Sequence, residues 1–272
     1  MFPAKDQGKA GEPLRWPLLI VNLDRSPERW RHAETAYRRG GFAVERLSAV
    51  DGDILTEAEI AAIVDFGRNR RLYKHPLTRG EIGCYLSHRL AWRRILTSGA
   101  EGGYVFEDDS EPGPMLVAAM ALVEGSVADW DMVKLFTNRR PGGRLVGEAG
   151  ALSLRRPAVL PNGTVGYALS RQGADKLLRR TGRLFRPLDI DLKHWWEHDL
   201  RVLVVNPAVV RCTPSNAAAS TIEPQRRKAK RSRIVRFILN ARYQARFRLT
   251  LYLRQLRARL MQVMPDRRGF DL

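Results

Sequence analysis

Gly103-Tyr104-Val105-Phe106-Glu107-Asp108-Asp109 is a short apolar run that ends on three carboxylates. The apolar part suits a buried strand, and the acids then fall where that strand meets solvent. Residues two apart on an extended chain share a face, so Glu107 and Asp109 are expected to project together, with Asp108 opposite. Two hard oxygen ligands at a strand end can hold Mg²⁺ or Mn²⁺, and such a cation can clamp a diphosphate. The alternative is a solvated acidic turn continued by Glu111. Open α/β sheets keep their ligands at the carboxyl ends of their strands, so the fold around this run decides between the two.

Working outward, strands alternate with helices. An apolar strand over 17–23 is followed by Ser26-Pro27-Glu28, a cap with Pro at the first helical position, and Gly40-Gly41 stops that helix near Arg39. A second strand is expected over 42–49. Thr56 to Glu59 and Thr78 to Glu81 read as capping boxes. The first opens a short helix ending near Phe66. The second opens the longest core helix, with Ile82, Tyr85, Leu86, Trp92 and Leu96 at helical spacing and Gly99 closing it. Beyond the acid cluster the pattern predicts a helix over 115–123, a strand over 131–136, a mobile loop over 138–150 and a strand over 164–169. Then come a helix from Ser170 to Arg180, a helical stretch over 189–198 and a strand over 202–210 broken by Pro207. Such alternation implies a mainly parallel central sheet flanked by helices.

The net charge of +18 is uneven. Thirteen Lys or Arg and no acid lie between Arg226 and Arg259, leaving about +5 elsewhere. We therefore expect a flexible arm over 1–16, one domain over 17–223, and a basic amphipathic helical tail over 224–272. In the tail, Ile234, Ile238, Ala241, Ala245, Leu249, Tyr252, Leu256 and Leu260 form an apolar stripe among arginines. Basic amphipathic helices adsorb to anionic membrane surfaces, so 226–264 is expected to meet one. Packing on the domain is the second reading. No specific nucleic acid is expected, because aromatic and basic residues are not interleaved as in single-strand binders. Two cysteines, Cys84 and Cys212, do not make a disulfide framework. The first residues lack a secretory pattern, and no apolar run is long enough to span a bilayer. A cytoplasmic protein, peripheral on the inner face of the membrane, is the expectation.

Other constellations each carry a plain alternative. Asn22, Asp24 and Arg25 end the first strand and suit a nucleotide, or serve as ordinary capping and surface charge. Glu81 and His88 sit seven apart in the core helix, as donor contacts or as structural residues. Gly166 and Tyr167 offer close backbone approach and a ring for a sugar, or simply enter a strand. Asp189 and Asp191, before His194, Trp195, Trp196 and His198, could supply a base beside sugar-stacking rings, or an N-cap and core.

The order of these pieces is more specific than any one of them. Ile20-Val21-Asn22-Leu23-Asp24-Arg25 with Arg29, Ala49-Val50-Asp51-Gly52, Leu77-Thr78-Arg79-Gly80-Glu81-Ile82-Gly83-Cys84 with Ser87-His88, Phe106-Glu107-Asp108-Asp109, and Gly166-Tyr167 with Gly173-Ala174 together resemble glycosyltransferase family 25. That family includes lipopolysaccharide galactosyltransferases and collagen galactosyltransferase domains. The resemblance spans roughly 17 to 211 and leaves the tail outside. It implies a GT-A-like nucleotide-sugar-binding fold, a UDP-sugar donor (UDP-galactose foremost), a glycan or glycolipid acceptor, Mn²⁺ dependence and inversion. On this chain it implies Glu107 and Asp109 as metal ligands. It further implies Asn22, Asp24, Arg25, Glu81, His88, Asp108, Gly166 and Tyr167 around the donor; an inverting transfer also needs a carboxylate base, for which Asp191 or Asp189 is expected. Two other classes stay open: an inactive carbohydrate-binding protein of the same fold, and a nucleic-acid-binding protein acting through the tail. SEPGP after Asp109 and the Arg- and Gly-rich stretch over 137–157 depart from the family pattern, which leaves the acceptor open.

Overall fold

The computed structural model describes residues 15–127, 129–138, 141–213 and 233–263. Most of the expected arm, the boundary at Pro224 and the final residues lie outside these. In chain order, β1 (Leu18–Asn22) leads into α1 (Pro27–Arg39) and β2 (Glu45–Ser48), and a 3-10 turn (Gly52–Ile54) follows. Next come α2 (Glu57–Ile63), α3 (Phe66–Leu72) and α4 (Arg79–Thr97). Both predicted capping boxes form, at Thr56–Glu59 and at Thr78–Glu81. The helix expected to run to Phe66 instead stops at Ile63. Asp65 caps the separate α3 by accepting from the Arg68 amide.

β3 (Gly102–Glu107) and β4 (Ser110–Pro112) precede α5 (Leu116–Glu124) and β5 (Met132–Lys134). The expected loop over 138–150 contains β6 (Arg144–Ala149), which forms a hairpin with β7 (Leu152–Arg156). Gly150 at φ +55° turns that hairpin. β8 (Gly166–Ser170), α6 (Arg171–Arg180), α7 (Leu188–Leu192), a 3-10 turn (Trp195–Glu197), β9 (Val202–Asn206), β10 (Val210–Cys212) and α8 (Arg233–Val263) complete the order. The stretch expected to be helical over 189–198 is thus α7 plus a 3-10 turn.

One eight-stranded sheet runs β2-β1-β3-β8-β5-β9-β7-β6. β1 is parallel to β2 and β3, and β5 is parallel to β9. β8 is antiparallel to both β3 and β5, and β7 is antiparallel to β6 and β9. Six strands share one direction and two oppose it, so the sheet is mixed within a mainly parallel frame. Alternation of strand and helix along the sequence does not reveal the reversed strands, because direction depends on where each strand inserts.

Neighbouring residues on the central strands feed opposite cores. Leu18, Ile20, Tyr104, Phe106 and Ala168 pack towards α1 and α5. Leu19, Val21, Val105, Tyr167 and Leu169 pack towards α4 and α6. The sheet is therefore covered on both faces, and the carboxyl ends of β1 and β3 open at one edge of the sandwich.

α8 packs through a different stripe from the one its sequence advertises. Phe247 and Leu251 are buried, and Tyr243 joins Phe247 and His194 in a ring cluster. Ile238, Ala241, Ala245, Leu249, Tyr252 and Leu256 face solvent. Aromatic contacts with Trp196 and His194 decide which stripe docks. The side chains of Ile234 and Leu260 lie outside the described residues.

Candidate active site

α4 positions the site through two adjacent rows spaced one turn apart. Gly83 and Ser87 clasp the loop after β2: a Cβ on Gly83 would lie 2.6 Å from the Val50 carbonyl oxygen. Ser87 accepts a hydrogen bond from the Val50 amide at 2.8 Å and donates to the Gly83 carbonyl at 2.7 Å. Gly52 is equally constrained, since a Cβ there would overlap the Arg79 carbonyl. The next row, Cys84 and His88, then faces a cleft between this loop and the ends of β1 and β3. The cleft holds a cavity of about 110 Å³, lined also by Arg25, Arg29, Asp51, Glu107 and Asp108.

Glu107 is the last residue of β3, opposite Val21 in the parallel register. It accepts from the Thr164 hydroxyl and lies 3.5 Å from His88 Nε2. Burial pushes its carboxyl up, but His88, Thr164 and Lys134 more than offset this and hold it below the usual range. Asp108 accepts from Asn22 at 2.7 Å and pairs with Arg29. Burial nevertheless leaves its carboxyl raised. Asn22 is buried and also accepts from Arg46 at 2.7 Å, so it orients Asp108. Asp24 is held by Arg46 and Ser48, and Arg25 spans Asp51 and Asp53.

The expected projection of the acids is corrected. β3 ends at Glu107, and Asp108 and Asp109 form a turn, so period-two alternation no longer applies there. Glu107 and Asp108 line the cavity together. Asp109 turns towards Cys212 Sγ, at 3.7 Å, and its carbonyl accepts from Thr213. Burial and the charge of Glu107 push its carboxyl up to about 7.

A cation fits this neighbourhood on two observations. Cys84, His88 and Glu107 bring one ligand atom each within 4.8 Å of one another. His88 is fully buried, and its Nε2 makes no hydrogen bond while pointing towards Glu107. Its Nδ1 pairs with the Tyr167 hydroxyl at 2.8 Å, and the tautomer donating from Nδ1 leaves a lone pair on Nε2 for a metal. The mixed S, N and O donors suit a borderline-soft ion better than Mn²⁺ or Mg²⁺.

Several expected roles move inward. Tyr167 is fully buried, stacked on His88 and hydrogen bonded by Trp92 at 2.9 Å, so it has no face for a sugar and instead positions His88. Gly166 is required by packing, since a Cβ would lie 2.9 Å from the Phe106 ring. Glu81 receives the Thr78 amide at 2.9 Å and serves the helix cap; Gly80 and Cys84 reach the cavity in its place. Asp191 is buried between Arg186, Tyr85 and His198. Burial opposes its charge, yet these partners hold its carboxyl far below the usual range, which unsuits it as a base. Asp189 is half-buried and within the electrostatic reach of Lys134.

Lys134 was not singled out by sequence, although a lone lysine in the apolar run over 131–136 was a usable signal. It is buried in β5, donates to the Gly163 carbonyl, and feels both Glu107 and Asp189. Burial pulls its ammonium down to about 8. Cys84 was legible only as part of a motif, because a single thiol has no pattern of its own.

The family model of Glycosyltransferase family 25 (LPS biosynthesis protein) matches residues 16–124, which hold β1 to α5 and most of this cleft. Procollagen galactosyltransferase 1 of Danio rerio is 28% identical over 215 residues, covering 71% of this chain and 35% of its own. A glycosyltransferase 25 family member of Aedes aegypti is 32% identical over 167 residues, covering 59% and 27%. A probable inactive glycosyltransferase 25 family member 3 of Bos taurus is 28% identical over 222 residues, covering 72% and 36%. The chain spans about a quarter to just over a third of the length of these relatives. A solved mannose-1-phosphate geranyltransferase from Thermus thermophilus overlays 70% of this chain and 73% of its own, with a TM-score of 0.32 and 13% identity, a likeness too slight to carry an argument.

Proposed function

We propose that the chain is a member of glycosyltransferase family 25 and transfers a sugar, galactose foremost, from a UDP-sugar to a hydroxyl of a glycan or glycolipid such as lipopolysaccharide. The observation that carries the reading is the cleft at the carboxyl ends of β1 and β3, where four carboxylates and two arginines converge. The family match over residues 16–124 and the galactosyltransferase relative support the donor.

In this reading Arg25 and Arg29 face the diphosphate, and Asn22 and Asp24 keep the nucleotide-side wall in place. A divalent cation at Glu107, with Asp109 or with Cys84 and His88, would neutralise charge on the departing UDP. Mn²⁺ or Mg²⁺ follows from the family, and the thiol and imidazole add zinc as a candidate. The acceptor oxygen attacks the anomeric carbon as the bond to UDP breaks with its electron pair, which inverts that centre. Asp189 takes the hydroxyl proton. Asp191 holds the scaffold beneath it, and Lys134 balances Glu107 against Asp189.

Among the described residues no helix is long and apolar enough to cross a membrane. The outward side chains of α8, including Phe237, Leu249, Tyr252 and Leu253 with arginines between them, support adsorption to the anionic inner face of a cytoplasmic membrane. Flotation with anionic vesicles tests this, and equal recovery of a Leu249→Glu, Leu253→Glu variant would contradict it.

The inactive relative sharpens one alternative, in which the cleft binds donor without turnover. The Glu-Asp-Asp cluster is intact, which favours activity. Screening UDP-sugars for released UDP, with and without divalent cations, separates the two. Donor binding without any release would establish the inactive form.

A further inference from the structure

α8 closes a second cavity, which shares no lining residue with the cleft. It has about 590 Å³ between α3, the 194–197 turn and the inner face of α8, within the size range of pockets that hold small ligands. Arg68 and Arg71 reach it from α3, and Arg242 and Arg246 from α8. Among the described residues none of these four guanidiniums has a carboxylate partner. Glu197 is the acid in the lining, and Arg186 already holds it at 2.6 Å. The aromatic wall includes Trp196 and Tyr243, with Phe185 and Phe247 beside them.

A solvated basic surface would spread its charges over a convex face. Here two elements about 170 residues apart turn four like charges into one concavity. Arg242 and Arg246 are also spaced i,i+4, an unfavourable pairing of like charges on a helix without an anion between them. Guanidinium forks match phosphate oxygens, and rings beside them accept a sugar ring or the first carbons of an acyl chain.

We infer that this cavity is a second binding site, for the phosphate group of a phosphorylated amphiphile or sugar. Arg71 and Arg246, one from each wall, grip the phosphate, and Trp196 and Tyr243 pack on the group that carries it. The site stands apart from the donor reading, and its loss leaves the cleft beneath α4 untouched. It gives the tail helix two faces with separate tasks, the outer one apolar and the inner one anion-binding.

The test uses the full chain and two probes in calorimetric titrations: dihexanoylphosphatidic acid, kept below its micelle concentration, and glucose 1-phosphate. The expected result is saturable binding of at least one probe, weakened about tenfold or more by Arg71→Ala with Arg246→Ala. Arg71→Lys with Arg246→Lys keeps the charge, loses the fork, and should fall between. UDP affinity should not move in either variant. Binding of the lipid alone assigns the phosphate to a headgroup, and binding of the sugar phosphate alone assigns it to a soluble ligand. No binding of either probe overturns the proposal, as does undiminished binding by the folded alanine variant. Loss of affinity only for a single-stranded RNA oligomer would also overturn it.

Discussion

The cleft under α4 and the cavity under α8 are both lined by arginines, yet they are built in opposite ways. In the cleft each arginine has an acid, Arg25 with Asp51 and Arg29 with Asp108, and Arg46 beside it pairs with Asp24. Backbone contacts at Gly52 and Gly83 fix the walls, leaving little freedom for substitution. In the cavity Arg68, Arg71, Arg242 and Arg246 have no acid among the described residues, and the walls meet through side chains, chiefly the rings around His194. A site whose charges are satisfied internally is preorganised before its ligand arrives. A site with unmatched charge relies on the ligand for balance.

The contrast can be broken at graded positions. Asp191 lies beneath both regions, and Asp191→Ala should give the largest effect. It leaves the buried Arg186 with Glu197 alone and strands the Tyr85 hydroxyl in the interior, with an expected loss of about 3–5 kcal/mol in chemical denaturation. Asp189→Asn, by contrast, should keep the stability and lose turnover, and a normal rate would move the base elsewhere. Tyr167→Phe should cost about 1–3 kcal/mol, because His88 Nδ1 and Trp92 Nε1 both lose their partner in a dry site. No change in the unfolding midpoint would mean that His88 is held by other contacts.

The smallest effect concerns the ring cluster at α8. Burial, aided by Arg186, pulls the imidazole of His194 down to about 4 from its ordinary 6.5. The unfolded chain therefore takes up this proton first, so the stability His194 contributes is full above 6.5 and is lost as pH falls towards 4. Replacing His194 with Gln should flatten the stability profile in that window. An unchanged slope would show that His194 titrates normally and that α8 does not cover it.

The sequence was most legible where backbone geometry forces residue type. Both capping boxes and Ser170 at the start of α6 are local demands, visible in a few adjacent residues. It was less legible where side chains choose between equivalent surfaces. The stripe through Leu249 and Tyr252 is a valid helical face, but the rings of Tyr243 and Phe247 met His194 and Trp196, residues far away in the chain. The acids at 107–109 misled for another reason: a period-two argument holds only while the strand lasts, and the chain turns at Asp108. Tyr167 carries a hydroxyl and ring suited to a sugar, and only packing turns it inward under His88. Lys134 went unread because one charge in a strand is unremarkable until the strand is central.

The central claim is that Glu107 makes the cleft a metal-assisted UDP-sugar site, and turnover measures it directly. Release of UDP from UDP-galactose should require a divalent cation, stop on chelation, and fall by about 10²–10³ or more in Glu107→Gln while the fold persists. Release at the wild-type rate by that variant, or undiminished release in excess chelator, would contradict the account.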